Sequence, residues 1–217
     1  MDAYSEIIEG NRYFKRTNDE FKTLANEQHP KHVVVACSDS RVEPEAIMHS
    51  KFGDLFVIRV AGEVIGTSSL ASVEYAVKEL GVMSVIIICH TKCGAVTAAQ
   101  HLLKKDHKLD VERNSALYKD IRKIAATISK DPRNIQDLTH AIIDNACVQV
   151  SVLKKSPILR KAIRDGLKIK VAVYDIESGS LKFLHRQPSV RYATFPHQLV
   201  GKMPDWVSDI FTTRLLK

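Results

Sequence analysis

The sequence has no long hydrophobic run. Its longest, "VIIIC" at Val85 to Cys89, falls far short of the roughly 18 apolar residues a membrane helix requires, so no membrane partner is expected. Cysteine is also scarce. Cys37, Cys89, Cys93 and Cys147 are too few for a disulfide scaffold, and in a reducing compartment such residues are buried, catalytic or metal-bound. Aromatic content is only 6%, and no aromatics are interleaved in the basic stretches Leu102 to Lys108 and Leu153 to Asp165. The net charge of +7 is therefore read as a solvated basic surface rather than a nucleic-acid groove. No repeat, low-complexity tract or Pro/Gly/Ser-rich linker divides the chain. Its 217 residues suit one sizeable core, so residues 1–217 are expected to form a single domain. The start, "MDAYSEIIEGNRYFKR", carries Asp2, Glu6 and Glu9 and lacks the apolar centre of a secretory signal; the expected location is cytoplasmic.

What the sequence does contain is an alternation of strand and helix. "HVVVAC" (His32 to Cys37), "LFVIRVAG" (Leu55 to Gly62) and "MSVIIICH" (Met83 to His90) are β-branched runs suited to strands covered on both faces. Helical spacing follows each, in "PEAIMHS", in Ser68 to Gly81 and in Cys93 to Lys105. Further helices are expected over Ser115 to Ser129, Thr139 to Ser156 and Leu159 to Asp165, then a strand over Leu167 to Asp175 with "LKFL" as its hairpin partner. The order predicts an α/β fold: a central, mostly parallel sheet flanked by helices, with a C-terminal antiparallel edge strand. Residues 1–25 form an N-terminal helical arm whose Ile7, Ile8, Tyr13 and Phe14 need a surface to cover them.

In such sheets ligands bind beyond the carboxyl ends of the strands. Cys37 ends the first strand and His90 the third, which predicts that the two meet on one rim. With Cys93 they form a Cys/His/Cys set, suited to zinc with a fourth position open to water or substrate. Cys93 begins a helix, where backbone N–H groups and the dipole stabilise a thiolate, and Gly94 permits close approach of the backbone. Taken singly, a cysteine at a strand end is most often a small buried hydrophobe and H-x-x-C is a weak motif. Cys89 and Cys147 fit that plainer role and are read as core.

Asp39 and Arg41 strengthen the metal reading. An Arg41-paired carboxylate stays ionised and can orient a metal-bound hydroxide. Ser38, Asp39 and Ser40 are equally good helix N-cap residues, and on spacing alone the two readings stand level. Cysteine phosphatase chemistry is disfavoured, because only three residues separate Cys37 from Arg41 and one of them is an acid. A Cys37/His90 protease dyad would leave Cys93 and Arg41 idle, and "AGEVIG" has neither a dinucleotide nor a P-loop spacing.

"ACSDSRV" with "HTKCGAV" about fifty residues later resembles the signature pair of the β-class carbonic anhydrases. "EGNRYF", "GDLFVIRVAG", "SVEYAVKELGV" and "AVYDIESGSLKFL" are similar to that family too. The resemblance implies one zinc ion per chain on Cys37, His90 and Cys93, with Asp39 and Arg41 as the catalytic dyad beside the fourth ligand. It implies reversible hydration of carbon dioxide to bicarbonate by a zinc-bound hydroxide. It also implies a narrow substrate pocket involving Gln28, Phe56, Tyr75 and Gly94, with aromatics contributed across a dimer interface, and an N-terminal arm packed on a partner subunit in a homodimer or tetramer. Without the resemblance, Gln28 reads as loop polarity, Phe56 as strand core and Tyr75 as a helix face. Ala36 and Gln28 resemble the open subtype, in which Asp39 pairs with Arg41 and leaves the zinc to water. The sequence departs at Glu63, where members usually carry Asn; this places an extra acid in a loop near the site. Rival expectations are a related hydrolase of another linear molecule, such as carbon disulfide, and a non-catalytic zinc module.

Overall fold

The chain is described by a computed structural model covering residues 3–104 and 115–184. Residues 105–108 of the basic stretch and the part of the single-domain expectation beyond residue 184 lie outside the described residues.

The β-branched runs become strands because their side chains alternate between two apolar layers. In order along the chain these strands are β1 (His32–Ala36), β2 (Leu55–Arg59), β3 (Ser84–His90), β4 (Lys168–Asp175) and β5 (Ser180–Phe183). The sheet order is β2-β1-β3-β4-β5; the first four strands are mutually parallel and β5 is antiparallel to β4. Val33, Val35, Val85, Ile87, Val171 and Val173 belong to the larger core, and Val34, Ala36, Ile86, Ile88 and Ala172 to the smaller one. This is the period of two that a sheet imposes on its side chains. Both faces being covered, the strands read as continuous apolar runs.

The helices are α1 (Ala3–Thr17), α2 (Glu20–Thr23), α3 (Pro44–Ile47), α4 (Thr67–Lys78), α5 (Gly94–Leu103), α6 (Ala116–Ile128), α7 (Leu138–Leu153) and α8 (Pro157–Arg164). Several begin where a side-chain oxygen takes an otherwise orphaned N–H. Ser115, Asp137 and Ser156 accept from the backbone of Tyr118, His140 and Leu159 respectively. The antiparallel edge strand follows a turn in which the Gly179 N–H donates to the Asp175 carbonyl at 2.8 Å.

Two elements are shorter than the sequence predicts. The helix after β1 stops at Ile47, because His49 adopts a left-handed φ of 48° and the Ser50 N–H closes back on the Glu45 carbonyl at 2.9 Å. β2 ends at Arg59 rather than Gly62, since residues Ala61–Glu63 curl into a 3-10 turn with φ of 64° at Gly62 and 44° at Glu63. The N-terminal arm is helical as expected. Its Phe14 ring packs near Phe21 and Phe52, at centroid separations of 5.7 and 6.1 Å, while Tyr4, Ile7, Ile8 and Tyr13 remain exposed.

Candidate metal centre

The register of the sheet delivers the site. Ala36 pairs with Ile88, so Cys37, one residue past β1, and His90, at the end of β3, emerge on the same rim. Cys93 immediately precedes α5. The three ligand atoms lie within 4.8 Å of one another, and all three residues are buried.

The donors suit zinc on two structural grounds. The Cys37 and Cys93 Sγ atoms are 4.0 Å apart, close to the ~3.8 Å edge of a tetrahedron with zinc–sulfur bonds of ~2.3 Å. His90 Nδ1 lies 2.9 Å from the Thr91 carbonyl; a carbonyl only accepts, so Nδ1 carries the proton and Nε2 presents its lone pair. That Nε2 is buried and has no hydrogen-bond partner among the described residues, a vacancy in its bonding that a metal would satisfy.

The two sulfurs lie within hydrogen-bonding reach of each other. A hydrogen bond with the Cys93 side chain pulls the Cys37 thiol well below its ordinary value, opposed by burial and aided by His90 and the Gly62 and Asp39 amides. Cys93 moves upward, chiefly through the same hydrogen bond and then burial. Cys89 and Cys147 are buried thiols pushed up by desolvation, Cys147 to about 12, in keeping with a core role.

Asp39 stands beside this set without joining it. Its Oδ2 lies 3.9 Å from His90 Nε2. Arg41 donates through Nε to Oδ1 at 2.9 Å and through Nη2 to Oδ2 at 2.7 Å, and the Arg41 backbone N–H donates to Oδ1 at 3.0 Å. This fork holds the Asp39 carboxyl well below the usual carboxylate range against the opposing effect of burial.

Residues not singled out from the sequence hold the frame. Arg59 donates to the carbonyls of Cys37 at 3.3 Å and Asp39 at 2.7 Å and pairs with Glu43 at 2.7 Å, clamping the turn that carries both site residues. An arginine closing the apolar run "LFVIR" is the signal that marks it. On the same rim, beside His90, Thr91 Oγ1 donates to Asp175 Oδ1 at 3.1 Å, and the Thr91 N–H donates to the Tyr174 carbonyl at 3.0 Å; both contacts fix the carbonyl that orients His90. Gly62 donates its N–H to Cys37 Sγ at 3.3 Å.

Glu63, the departure noted in the sequence, is fully buried. Its Oε1 accepts from Asn145 Nδ2 at 2.9 Å, and Oε2 is without a partner among the described residues. Burial first, and then the negative charge at Cys37, push its carboxyl up to about 8 despite that hydrogen bond. A left-handed backbone at a non-glycine residue costs about 1–2 kcal/mol, so the contacts from Asn145 also offset local strain.

The other expected pocket residues are placed differently. Gly94 opens α5 beside Cys93. The Phe56 and Tyr75 rings contact each other at 6.2 Å between centroids, but Phe56 pairs with Val33, four residues before Cys37 and thus ~13 Å down the strand. Gln28 is exposed in the segment before β1. A second group, Asp131, His140 and Asp144, also lies within 4.8 Å, yet its donors are engaged. Arg133 binds Asp131 through side chain and backbone, while Asn134 joins His140 to Asp144.

Comparison with known proteins agrees with this geometry. The family model described as carbonic anhydrase matches residues 32–181. Carbonic anhydrase of Pseudomonas aeruginosa is 33% identical over 193 residues, covering 82% of this chain and 86% of that protein. Carbonic anhydrase 1 of Escherichia coli O157:H7 is 36% identical over 194 residues, covering 81% and 85%. Among solved structures, the β-carbonic anhydrase CafA of Aspergillus fumigatus superposes with a TM-score of 0.73 at 27% identity, over 85% of this chain and 91% of that one.

Glu63 generates a stability prediction. Its carboxyl titrates near 4.5 when unperturbed and at about 8 when folded, so over that window the folded chain keeps a proton that the unfolded chain releases. The stability it supports is complete below the lower value and falls as pH rises toward the upper one, by at most ~1.4 kcal/mol per pH unit. Denaturant titrations of chelator-treated protein across this window should show the wild type losing stability faster than E63Q. Parallel curves would refute the assignment.

Proposed function

This chain belongs to the β-class carbonic anhydrase family, and on that premise we propose that it catalyses reversible hydration of carbon dioxide to bicarbonate and a proton, with one zinc ion held by Cys37, His90 and Cys93. The observation that carries the reading is the conjunction of three buried donors with an arginine-locked carboxylate 3.9 Å from His90 Nε2; a purely structural zinc site requires no such carboxylate.

Zinc in such a site supplies a Lewis acid that makes water a nucleophile at accessible pH. The residues do the rest. Cys37 and Cys93, as thiolates, balance the charge of a divalent ion, and His90 is held in the right tautomer by the Thr91 carbonyl. Asp39 would accept a hydrogen bond from the hydroxyl that such an ion supplies and so aim its lone pair at the carbon atom, while Arg41 keeps Asp39 ionised and holds both of its oxygens. Phe56 stands on β2 about 13 Å down the sheet from the level of Cys37, with the Tyr75 ring of α4 against it. In our reading these rings, with Gln28 and Gly94, shape a narrow apolar pocket completed between subunits.

The exposed Tyr4, Ile7, Ile8 and Tyr13 of α1 support packing of that helix on a partner subunit, in a homodimer or a tetramer built from a single β-carbonic-anhydrase-like unit per chain. No described helix is long and apolar enough to cross a membrane, which suits the cytoplasmic placement.

Metal analysis with stopped-flow carbon dioxide hydration tests the reading. One zinc per chain and rapid turnover are expected. C37S should lose both zinc and activity, whereas D39N should retain zinc and lose at least ~100-fold in kcat; full activity in either variant would refute the roles. Two thiolates make a weaker Lewis acid than an all-histidine site, whose water titrates near about pH 7, so kcat/KM should climb into the alkaline range. A flat profile from about pH 6 to 9 would contradict it. Sedimentation should give a mass at least twice the 24.3 kDa chain, and a monomer at micromolar concentration would exclude the proposed arm packing.

A further inference from the structure

The turn between β2 and α4 is fastened to α7 by a buried polar ladder. Asn145 Nδ2 donates to the Gly62 carbonyl at 2.8 Å and to Glu63 Oε1 at 2.9 Å. One helical turn later, Gln149 Oε1 accepts from the Ile65 N–H at 2.9 Å, while its Nε2 reaches Asn145 Oδ1 at 3.3 Å. Glu63, Asn145 and Gln149 are all buried. Between them the chain takes two successive left-handed conformations, and the outcome is that the Gly62 N–H donates to Cys37 Sγ. The methylene of Gly62 also has little room around it: a Cβ there would lie 2.7 Å from Ile124 Cδ1.

We infer that Asn145 and Glu63 are positioning residues that set the N–H···S hydrogen bond on the Cys37 ligand and thereby the electron donation of that thiolate to the metal. The inference rests on the metal-binding reading above. An amide donor on a thiolate draws charge from sulfur, so it moderates the very donation that makes a two-thiolate centre a weak Lewis acid. Glu63 contributes as an acceptor: its Oε1 gives Asn145 a second anchor, so the amide group stays over the turn. A glutamine in its place preserves that acceptor, and a methionine of similar length does not.

The test uses the full-length protein loaded with cobalt, whose thiolate-to-metal absorption band reports how strongly sulfur donates. N145L and E63M should move the band to longer wavelength, weaken zinc binding about tenfold or more, and shift the kcat/KM profile to higher pH; E63Q should keep the wild-type band. Bands and metal affinities in N145L and E63M that match the wild type would overturn the inference, as would an E63Q band displaced as far as that of E63M. If either apolar variant fails to fold, the wild-type protein loaded with cadmium-113 decides. Scalar coupling between the metal and the Gly62 amide proton is expected, and its absence overturns the proposal. With metal bound, these spectra judge the inference whether or not carbon dioxide is turned over, so it and the functional reading fail separately.

Discussion

Parallel pairing of β1 with β3 is the constraint on which the rest depends. With Ala36 opposite Ile88, Cys37 just past β1 and His90 at the end of β3 must emerge on the same rim of the sheet. A one-residue slip would turn Val33, Val35 and their neighbours from one apolar layer to the other, so the packing of both layers enforces the register. The candidate metal centre thus inherits its precision from the core. Cys37 and His90 are placed by the same valines and isoleucines that stabilise the sheet, and Cys93 by the turn into α5.

The site concentrates acidic groups in a small volume: two buried thiols, the buried Glu63 and the half-buried Asp39. Each is handled in its own way. Asp39 is kept ionised by a two-pronged arginine. Cys37 receives an amide hydrogen bond, and Cys93 sits at the start of a helix where the dipole favours negative charge. Glu63, deepest of the set, is held toward its neutral form because burial penalises its charge more than one amide contact from Asn145 relieves it. Arg59 compensates from another side, tying down the backbone carbonyls of Cys37 and Asp39 rather than any of the acids of the donor set.

Much of the fold was legible because its signals are local. β-branched runs, Ser and Asp caps and the order of elements all follow from neighbouring residues, and the five strands lie close to their expected positions. The gathering of Cys37, His90 and Cys93 was legible too, since chemistry-bearing side chains at the ends of buried parallel strands meet on one rim. What escaped were the end of β2 and the roles of Arg59, Asn145 and Gln149. Val60 and Ala61 look as strand-like as the residues before them, yet the chain leaves the sheet there because Gly62 and Glu63 adopt left-handed backbones fastened by a helix some 80 residues away. Asn145 and Gln149 did leave a trace, as a polar pair at i, i+4 spacing on an otherwise apolar helix, which places both on one face.

By itself, then, the sequence determined the parallel sheet, the strand ends at its rim and which candidate residues those ends bring together, because periodicity and residue type act over a few positions. Only the tertiary structure decided how that chemistry is tuned. The burial of Glu63 against Asn145, the Gly62 amide on Cys37 and the clamp of Arg59 on the turn after β1 depend on distances of a few ångströms between segments far apart in the chain. Such distances are set by packing, and no local pattern encodes them.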